Sequence, residues 1–521
     1  MRQANPAISR GAIAVPIAVL VLIAPDLLRT EWSTYDGGLY LTLSRFVGPE
    51  HLPYRDLWTL YGPGPPLVGS AVMHLFGPGI GPQIVIHLLL HVATVAAVYL
   101  VARRFVPAWV AAIFAALPAA VTYSLHFQYT LALLLWAVWL VLRAGQRDSP
   151  ASGHLVGASL LFGLSFWGRF EFVLVGIAAA LALWLWTRGA VPQRARRGIL
   201  LAGLGPPMAF LVYLVSFGGG DRVWLNLVEY PLLRYPDDVC RGLPDQWPRA
   251  VGMLLTGFPW GMGELVLWTG TLLAPALGAA CIVLAARRWR GSIHWLAVGA
   301  VGAITLIVWL EHRPRASATP NPLMPLVVVA ACMVIGALAS RRARAALVAS
   351  VLSTAVIVVA LLVGTVPHYL PAWTGWPDHH PMLGWEGGRF EGLYDEGVWS
   401  EVRREVRSRA GPGEEIFVAL SDNSTRHHAN APVFYWYTDR PPASRFIEFD
   451  PCLTDTEPVQ REIVRDIAGV DVVVATTFFP DPGVPGSGTL DGYLSANYEP
   501  VYRGDLPRGQ AVEVLERVGA R

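Results

Sequence analysis

The sequence is poor in charge and contains no lysine. Charged residues make up 15% of its 521 positions, against about 25% in an ordinary soluble domain. Hydrophobic residues make up 54%, and the mean hydropathy is +0.43. All 40 basic residues are arginines, which excludes a Walker-type phosphate loop, a Schiff-base lysine and a lysine general base. This composition excludes a soluble enzyme and a disordered chain.

Cysteine and net charge are also scarce. The four cysteines include no Cys-x-x-Cys pair, so the sequence offers no zinc or redox motif and no disulfide framework. The formal net charge of +2 provides no basic field. We therefore expect no nucleic-acid partner.

What the sequence has in abundance is long apolar runs. A bilayer core of about 30 Å needs about 20 apolar residues in a helix. Runs near this length predict eleven membrane spans, and residues 64–78 predict either a short helix dipping in from the outer face or a twelfth span. The predicted fold is therefore a mainly α, polytopic membrane protein with about 11–12 transmembrane helices. The eleven runs lie near 13–28, 82–102, 107–123, 125–142, 154–168, 171–187, 198–217, 264–286, 293–310, 321–339 and 344–366.

The placement of arginines predicts the sidedness of these spans. Every second connection is rich in arginine, which marks the cytoplasmic side. The N-terminus is then cytoplasmic, and everything beyond the transmembrane domain (1–366) is outside. The outer side gains a first loop at 29–81, a second loop at 218–263 and a soluble domain at 367–521. The arginine-rich connections are 103–104, 143–147, 188–197, 287–290 and 341–344.

The segment 367–521 has the pattern of a small extracytoplasmic α/β domain. Predicted helices alternate with predicted strands along it. Cys452 in this segment and Cys240 in the second outer loop both lie on the predicted outer side, where a disulfide between them is possible. The helices are predicted at 399–409 and 457–469, and the strands at 415–420, 471–479 and 511–518.

Ionisable residues are almost absent from the span centres. Only His87 and His91 lie inside a span, one turn apart, and no acid accompanies them. A proton-coupled transporter needs partnered acids or histidines at mid-depth, so we interpret the two histidines as packing residues. The charges gather at the outer rim, which indicates that the protein works at that surface.

The first outer loop carries the main candidate residues. Asp36 follows the first span and precedes apolar residues at the spacing of a helix lying on the membrane. A carboxylate shielded by aromatic rings can bind a proton more tightly and act as a general base, and a helix N-cap is the alternative. Trp58 and Tyr61 fit either sugar stacking or the aromatic belt at the membrane surface. The apolar positions after Asp36 are Leu39, Tyr40, Leu43 and Val47.

Three patterns together resemble a known family. The first loop combines Asp36, Tyr40, Gly48, PYRD at 53–56, GP at 62–63 and LFG at 75–77. The segment HRPRASATPNPLMP at 312–325 precedes a late span, and FYWYTDRPPASR at 434–445 and DGYLSANYEPVYRGD at 491–505 lie in the C-terminal domain. In these patterns the chain resembles the GT-C glycosyltransferases, specifically relatives of protein O-mannosyltransferase and aminoarabinose transferase.

The resemblance implies an inverting glycosyltransferase at the outer face of the cytoplasmic membrane. Its donor would be a sugar linked to a polyprenyl phosphate lying among membrane lipids, and its acceptor a hydroxyl on a glycan, lipid or protein. Asp36 would be the catalytic base. Asp56 would orient the acceptor, bind a metal or cap a turn. A divalent cation, Mg²⁺ or Mn²⁺, is a possible cofactor, and the resemblance leaves open whether one is needed.

The resemblance also assigns residues to the lipid phosphate. Arg313 and Arg315 would clamp it, since the planar guanidinium suits phosphate oxygens. Arg55 would contact phosphate or pair with the neighbouring Asp56. Arg169 and Glu171 would act as a clamp and its orienter, or form a structural ion pair. Tyr61 would contact the substrate.

Two other function classes are possible. A lipid or glycan flippase needs a polar pathway through the span centres, which this sequence lacks. A non-catalytic envelope assembly protein would keep the fold without the activity. Replacement of Asp36 by Asn separates them, because only a transferase should lose activity.

Overall fold

The computed structural model describes most of the apolar runs and most of the C-terminal domain. The described residues are 14, 16–21, 36–48, 51–59, 61–119, 125–145, 151–170, 172–217, 222, 224–226, 229–230, 262–288, 293–311, 324–339, 396–423, 430–450, 452–477, 487–506 and 510–520.

The described part of the chain is mainly helical. Its α-helices are α1 (Asp36–Phe46), α2 (Gly64–Phe76), α3 (Ile80–Ala102), α4 (Ala108–Ala119), α5 (Leu125–Ala144), α6 (Ser152–Leu164), α7 (Phe172–Trp186), α8 (Gln193–Phe217), α9 (Met262–Arg288), α10 (His294–Glu311), α11 (Met324–Ala339), α12 (Glu396–Arg409), α13 (Val433–Thr438), α14 (Glu457–Asp466) and α15 (Thr489–Asn497). The strands are β1 (Phe417–Leu420), β2 (Val472–Thr477), β3 (Tyr498–Leu506) and β4 (Gln510–Arg517).

The chain divides into two compact units. The helical unit comprises Met1–Arg29, Ile84–Phe210 and Asp245–Met382. The mixed unit comprises Thr30–Gln83, Leu211–Pro244 and Leu383–Arg521. The first outer loop thus belongs to the same unit as most of the C-terminal domain.

Most of the predicted apolar runs form helices. Within the part of the chain that the structure describes, three helical segments are long and apolar enough to cross a membrane: α3, α8 and Phe127–Ala144 within α5. Shorter apolar helices occupy other predicted runs, including α4, α7 and α11. Of the predicted first span only residues 14 and 16–21 are described, and they are helical. The run 344–366 lies outside the described residues, so the count of eleven or twelve spans stays a prediction.

Small residues allow the helices of the helical unit to approach closely. A Cβ atom on Gly163 in α6 would collide with the carbonyl oxygen of Gly203 in α8. In α10, a Cβ atom on Gly302 would lie 2.6 Å from the carbonyl oxygen of Gly278 in α9. Such close backbone contacts are a common way to pack helices where water supplies no driving force.

The segment 64–78 forms a helix that is too short to span a bilayer. α2 has 13 residues, which corresponds to about 20 Å of helix, against a bilayer core of about 30 Å. It packs against α1, where Gly69 lies so close to Ser44 that a Cβ atom would collide with the hydroxyl. Between the two sequence-based alternatives, the helix length favours a short helix over a twelfth span.

The prediction of a membrane-lying helix after Asp36 is wrong in one respect. α1 forms as predicted, but residues 38–44 are all buried. Gly38 lies against Val433 of α13, where a Cβ atom would come 2.7 Å from the Val433 backbone nitrogen. The apolar residues of α1 therefore pack against protein within the mixed unit, and none of this stretch offers a lipid-facing stripe.

The C-terminal domain contains a four-stranded mixed sheet of order β1-β2-β4-β3. β1 pairs parallel with β2, and β4 pairs antiparallel with both β2 and β3. The predicted strands and helices of this domain are present within a few residues of their predicted bounds. β3 was not predicted, because YEPVYRGDL contains proline, glycine and charges. It is an edge strand with an irregularity after Pro500, and edge strands tolerate such residues.

Candidate functional site

The PYRD segment of the first outer loop folds into a compact turn. Tyr54 N–H donates to the Leu57 carbonyl oxygen at 2.8 Å, and Asp56 N–H donates to the Leu52 carbonyl oxygen at 2.9 Å. Tyr54 adopts φ +68°, a left-handed conformation that costs a non-glycine residue about 1–3 kcal/mol. The surrounding contacts must therefore hold this turn in place.

Arg55 and Asp56 form a hydrogen-bonded ion pair with each other within this turn. Arg55 Nε lies 2.8 Å from both Asp56 carboxylate oxygens, and Arg55 Nη2 donates to Asp56 Oδ2 at 2.6 Å. Asp56 Oδ2 also accepts the Leu52 N–H at 2.9 Å. Partial burial opposes ionisation of the carboxyl, but the hydrogen bonds from Arg55 and Leu52 outweigh it and lower the pKa of Asp56. Asp56 thus caps the turn as an ionised, paired carboxylate.

Three side chains from the end of α8 and the residues after it donate hydrogen bonds to the backbone of the same turn. Tyr213 OH donates to the Pro53 carbonyl oxygen at 3.3 Å, and Arg222 Nη1 donates to the Arg55 carbonyl oxygen at 2.6 Å. Asn226 Nδ2 donates to the Tyr54 carbonyl oxygen at 3.3 Å. Sequence reasoning missed these three side chains. Each donates to a backbone carbonyl, a partner that any residue supplies, so no motif marks them.

Trp58 is a core residue, which contradicts both of its predicted roles. It is fully buried, and its Nε1–H donates to Asp450 Oδ2 at 2.9 Å. Its ring contacts those of Tyr230 and Phe446, with centroids 5.6 and 6.0 Å away. A ring enclosed in this way is open neither to a sugar nor to the membrane surface.

Tyr61 has a fixed backbone. Its carbonyl oxygen accepts the Tyr54 hydroxyl at 2.7 Å, and its N–H donates to Thr59 Oγ1 at 3.1 Å. Its side chain is half-buried. Its role as a substrate contact stays a prediction.

Asp36 is the first residue of α1, and side chains further along this helix bind neighbouring segments. Tyr40 OH donates to Gln83 Oε1 at 2.9 Å, and Thr42 Oγ1 donates to the Pro432 carbonyl oxygen at 2.6 Å. The free N–H groups and dipole at a helix N-terminus favour a negative charge there. The side chain of Asp36 is outside the described set, so its role as the base stays a prediction.

Of the residues predicted to bind the lipid phosphate from the helical unit, the structure describes Arg169. In the helical unit, the Arg169 guanidinium lies 4.4 Å from the centre of the Phe127 ring, in a cation–π contact. Glu171, Arg313 and Arg315 lie outside the described residues.

The described residues do not fit a divalent cation. Among them, no group of three or more His, Cys, Asp or Glu side chains is placed to hold a metal ion. Both oxygens of Asp56 are engaged by Arg55, and one also by Leu52. We therefore derive no reaction step through Mg²⁺ or Mn²⁺.

The remaining predictions concern the packing role of the histidines and the disulfide at Cys452. His91 is buried, and its Nε2 lies 3.0 Å from the Ala119 carbonyl oxygen, which agrees with a packing role. Cys281 and Cys332 are free and buried. Cys452 is disulfide-bonded; its predicted partner, Cys240, lies outside the described residues.

Comparisons with known proteins find one family and several solved structures. Residues 61–225 match the family described as dolichyl-phosphate-mannose-protein mannosyltransferase. The chain is similar to the crystal structure of ArnT from Cupriavidus metallidurans bound to undecaprenyl phosphate, with 14% identity and a TM-score of 0.54 over 98% of this chain and 99% of that one. No curated protein sequence matches the chain.

A second solved structure is the arabinofuranosyltransferase AftD from Mycobacteria. The identity is 16% and the TM-score 0.50, over 98% of this chain and 40% of that one. At these identities the likeness to solved structures establishes the fold. Together with the family match, it confirms the predicted resemblance to the GT-C glycosyltransferases.

Proposed function

Because the chain has a GT-C-like fold and a segment matching a polyprenyl-phosphate-dependent family, we infer that it is a membrane glycosyltransferase using a polyprenyl-phosphate-linked sugar. It transfers the sugar to a hydroxyl on a glycan, a lipid or a protein. It acts in the biosynthesis of cell-envelope glycans.

The family match over residues 61–225 carries this proposal. The segment begins within the first outer loop and runs through α2 to α8. The ArnT crystal structure contains undecaprenyl phosphate, which supports a long isoprenoid carrier for this chain as well. A donor of this type also agrees with the lack of a glycine-rich phosphate loop in the sequence.

The proposed reaction is a single displacement that inverts the anomeric carbon. The acceptor oxygen forms a bond to that carbon as the bond from carbon to the phosphate oxygen breaks. The polyprenyl phosphate leaves with the bonding electrons, and the acceptor proton passes to the Asp36 carboxylate. The position of Asp36 at the N-terminus of α1 supports this role, since the helix dipole there favours the ionised carboxylate that a base must supply.

The leaving phosphate requires cations. We assign this task to Arg313 and Arg315, with Arg169 as a further contact, because a guanidinium presents paired donors to phosphate oxygens. Glu171 would orient Arg169, and Tyr61 would contact the substrate. Arg55 is already bound to Asp56, so this pair is assigned to shaping the first outer loop.

The proposed location is the cytoplasmic membrane, with eleven or twelve spans and a cytoplasmic N-terminus. The transmembrane domain is 1–366, and the domain 367–521 is extracytoplasmic. The alternating arginine-rich connections support this topology. The disulfide at Cys452 supports it independently, because disulfides persist mainly in oxidising compartments.

Sugar transfer by purified full-length protein tests the proposal. Undecaprenyl-phosphate-linked mannose and arabinose serve as donors, with cell-envelope glycan as acceptor. Asp36→Asn should lower the transfer rate about 10²–10⁴-fold while undecaprenyl phosphate still binds. Asp505→Asn, at an exposed position in β3, is the matched control and should transfer at the wild-type rate.

Two outcomes would contradict the assignment. Wild-type transfer by the Asp36→Asn protein would remove Asp36 as the base. Failure of the wild type to release sugar from either lipid donor, with undecaprenyl phosphate not bound, would overturn the proposed donor class.

A further inference from the structure

Two arginines of α12 are neutralised by acids on the same helix. Arg404 Nη1 donates to Glu401 Oε1 at 2.9 Å. Arg409 forms an ion pair with Glu405, one turn earlier. Pairs at these spacings are normal for a solvated helix face.

Two further arginines of the same helix have different surroundings. The guanidinium carbon of Arg403 lies 5.2 Å from the centre of the Tyr437 ring. Arg407 Nε donates to the Thr438 carbonyl oxygen at 3.0 Å. Neither Arg403 nor Arg407 has a carboxylate within ion-pair distance among the described residues.

Two arginines from elsewhere in the mixed unit complete a basic cluster. Arg440 is buried and donates through Nε and Nη2 to the Ala410 carbonyl oxygen at 2.9 and 2.7 Å. Arg45 forms an ion pair with Asp439 at 2.9 Å. The basic cluster (Arg45, Arg403, Arg407, Arg440) thus combines four guanidinium groups with one carboxylate.

The charge of this cluster is not balanced by its described partners. Carbonyl oxygens satisfy hydrogen bonds of Arg407 and Arg440, but they cancel no charge. Burial, followed by the nearby charges of Arg403 and Arg440, lowers the pKa of Arg407, and Asp439 offsets this only in part. Arg403 Nε is buried without a hydrogen-bond partner in the described structure, a costly state for a charged donor. An anion would supply both the missing charge and the missing acceptor.

A hydrogen bond connects α13, which carries Tyr437 beside the basic cluster, to a segment with exposed apolar side chains. Trp436 Nε1–H, next to Tyr437 in α13, donates to the Pro78 carbonyl oxygen at 2.8 Å. Two and three residues before Pro78, Phe76 and Leu75 at the end of α2 are 67% and 75% exposed. Large apolar side chains beside arginines are the composition of surfaces that bind anionic membranes.

We propose that the basic cluster binds the phosphate of an anionic phospholipid, with Leu75 and Phe76 entering the acyl-chain region. Arg403 and Arg407 hold the phosphate oxygens, while Asp439 and the main-chain carbonyls fix the surrounding arginines. This site does not depend on the sugar-transfer reaction.

Lipid binding by the full-length protein in detergent tests the proposal. Native mass spectrometry compares short-chain phosphatidylglycerol, phosphatidylcholine and inorganic phosphate. Arg403→Gln combined with Arg407→Gln should weaken phosphatidylglycerol binding at its tightest site about tenfold or more. Arg404→Gln, on the same helix but paired with acids, is the matched control and should bind like the wild type.

Three results would overturn the proposal. One is unchanged phosphatidylglycerol binding by the double variant. Another is equal binding of phosphatidylcholine and phosphatidylglycerol by the wild type. The third is inorganic phosphate binding as tightly as the lipid, which would remove the lipid as the ligand. If the double variant does not fold, Arg407→Gln alone, at an exposed position, should still show a several-fold loss, and its absence would equally contradict the site.

Discussion

Among the described residues, carboxylate partners distinguish the arginines of the mixed unit, although aromatic rings lie beside arginines in both units. In the helical unit, several lie over an aromatic ring one turn away or on a neighbouring helix. In the mixed unit, several form ion pairs with carboxylates. The ring contacts are Arg103 with Tyr99, Arg143 with Trp139, Arg196 with Trp184 and Arg288 with Trp295. The ion pairs include Arg45 with Asp439, Arg55 with Asp56, Arg409 with Glu405 and Arg445 with Glu462.

This difference indicates that the function of an arginine follows more from its contact partner than from the sequence motif in which it lies. Arg55 belongs to the PYRD motif, yet Asp56 occupies its donors and the pair shapes a turn. A ring-stacked guanidinium such as that of Arg403, whose Nε has no hydrogen-bond partner in the described structure, keeps a donor for phosphate. The arginines suited to lipid phosphates are therefore those that carboxylates do not neutralise.

The largest effect is expected in the core of the mixed unit, at Trp58. This residue joins the first outer loop to that core. Trp58→Ala should destabilise the protein by about 3–5 kcal/mol, because it opens a cavity and deprives Asp450 of a donor. Trp58→Phe keeps most of the ring and should cost less. Thermal unfolding of the purified protein measures both. Equal melting temperatures for Trp58→Ala and the wild type would show that this loop does not contribute to the core.

Close backbone packing in the helical unit gives the next largest effect. Gly163→Ala should destabilise the protein by about 1–3 kcal/mol, because the new methyl group collides with the Gly203 carbonyl oxygen. Gly205→Ala, in α8 with no atom within 4 Å of its added Cβ, is the control. It should be neutral or stabilising, since alanine favours helix by up to about 1 kcal/mol over glycine. Similar melting temperatures for the two variants would contradict the tight contact.

Features summed over many residues were predictable from the sequence. The apolar runs near 82–102 and 198–217 form the helices Ile80–Ala102 and Gln193–Phe217. They could be predicted because the mean hydropathy of about 20 consecutive residues is insensitive to any single residue. The predicted strand at 471–479 became Val472–Thr477, an inner strand of the sheet whose residues 472–476 are all buried. Each of these rests on a local period or run.

Contacts between distant segments were not predictable. The Trp58–Asp450 bond joins residues 392 positions apart, so a tryptophan near a predicted membrane surface gave no sign of its burial. Asn226 holds Tyr54 through a backbone carbonyl, which leaves no mark on residue type. The candidate base Asp36 was found only because its surroundings resemble a family pattern, and no local property of the residue distinguished it from a helix cap.

The contribution of an ion pair in the mixed unit can be measured through its pH dependence at Arg55 and Asp56. The pKa of Asp56 is lowered in the folded protein, so the pair contributes stability above the ordinary Asp pKa of about 3.9. This contribution is modest because the pair is partly exposed to solvent, and it is lost as the pH falls through the folded-state pKa. Melting temperatures of wild type and Asp56→Asn should differ at pH 7 and converge as the pH falls well below the ordinary Asp pKa. A constant difference across this range would mean that ionisation of Asp56 contributes nothing.

The smallest effect is expected when one ring-stacked arginine and one acid-paired arginine are each replaced by glutamine. Arg143 lies over the Trp139 ring at 5.3 Å, and Arg461 pairs with Glu457 at 2.8 Å on the exposed face of α14. Arg143→Gln should cost about 0.5–1 kcal/mol, and Arg461→Gln should lower the stability by a still smaller amount because its ion pair is exposed. Added salt should abolish the cost of Arg461→Gln, because exposed ion pairs are screened. Part of the cost of Arg143→Gln should persist, since the arginine stem and the ring also share an apolar contact that salt does not weaken. Melting temperatures at low and high salt distinguish the two, and an identical salt dependence would show that the aromatic and acidic partners are equivalent.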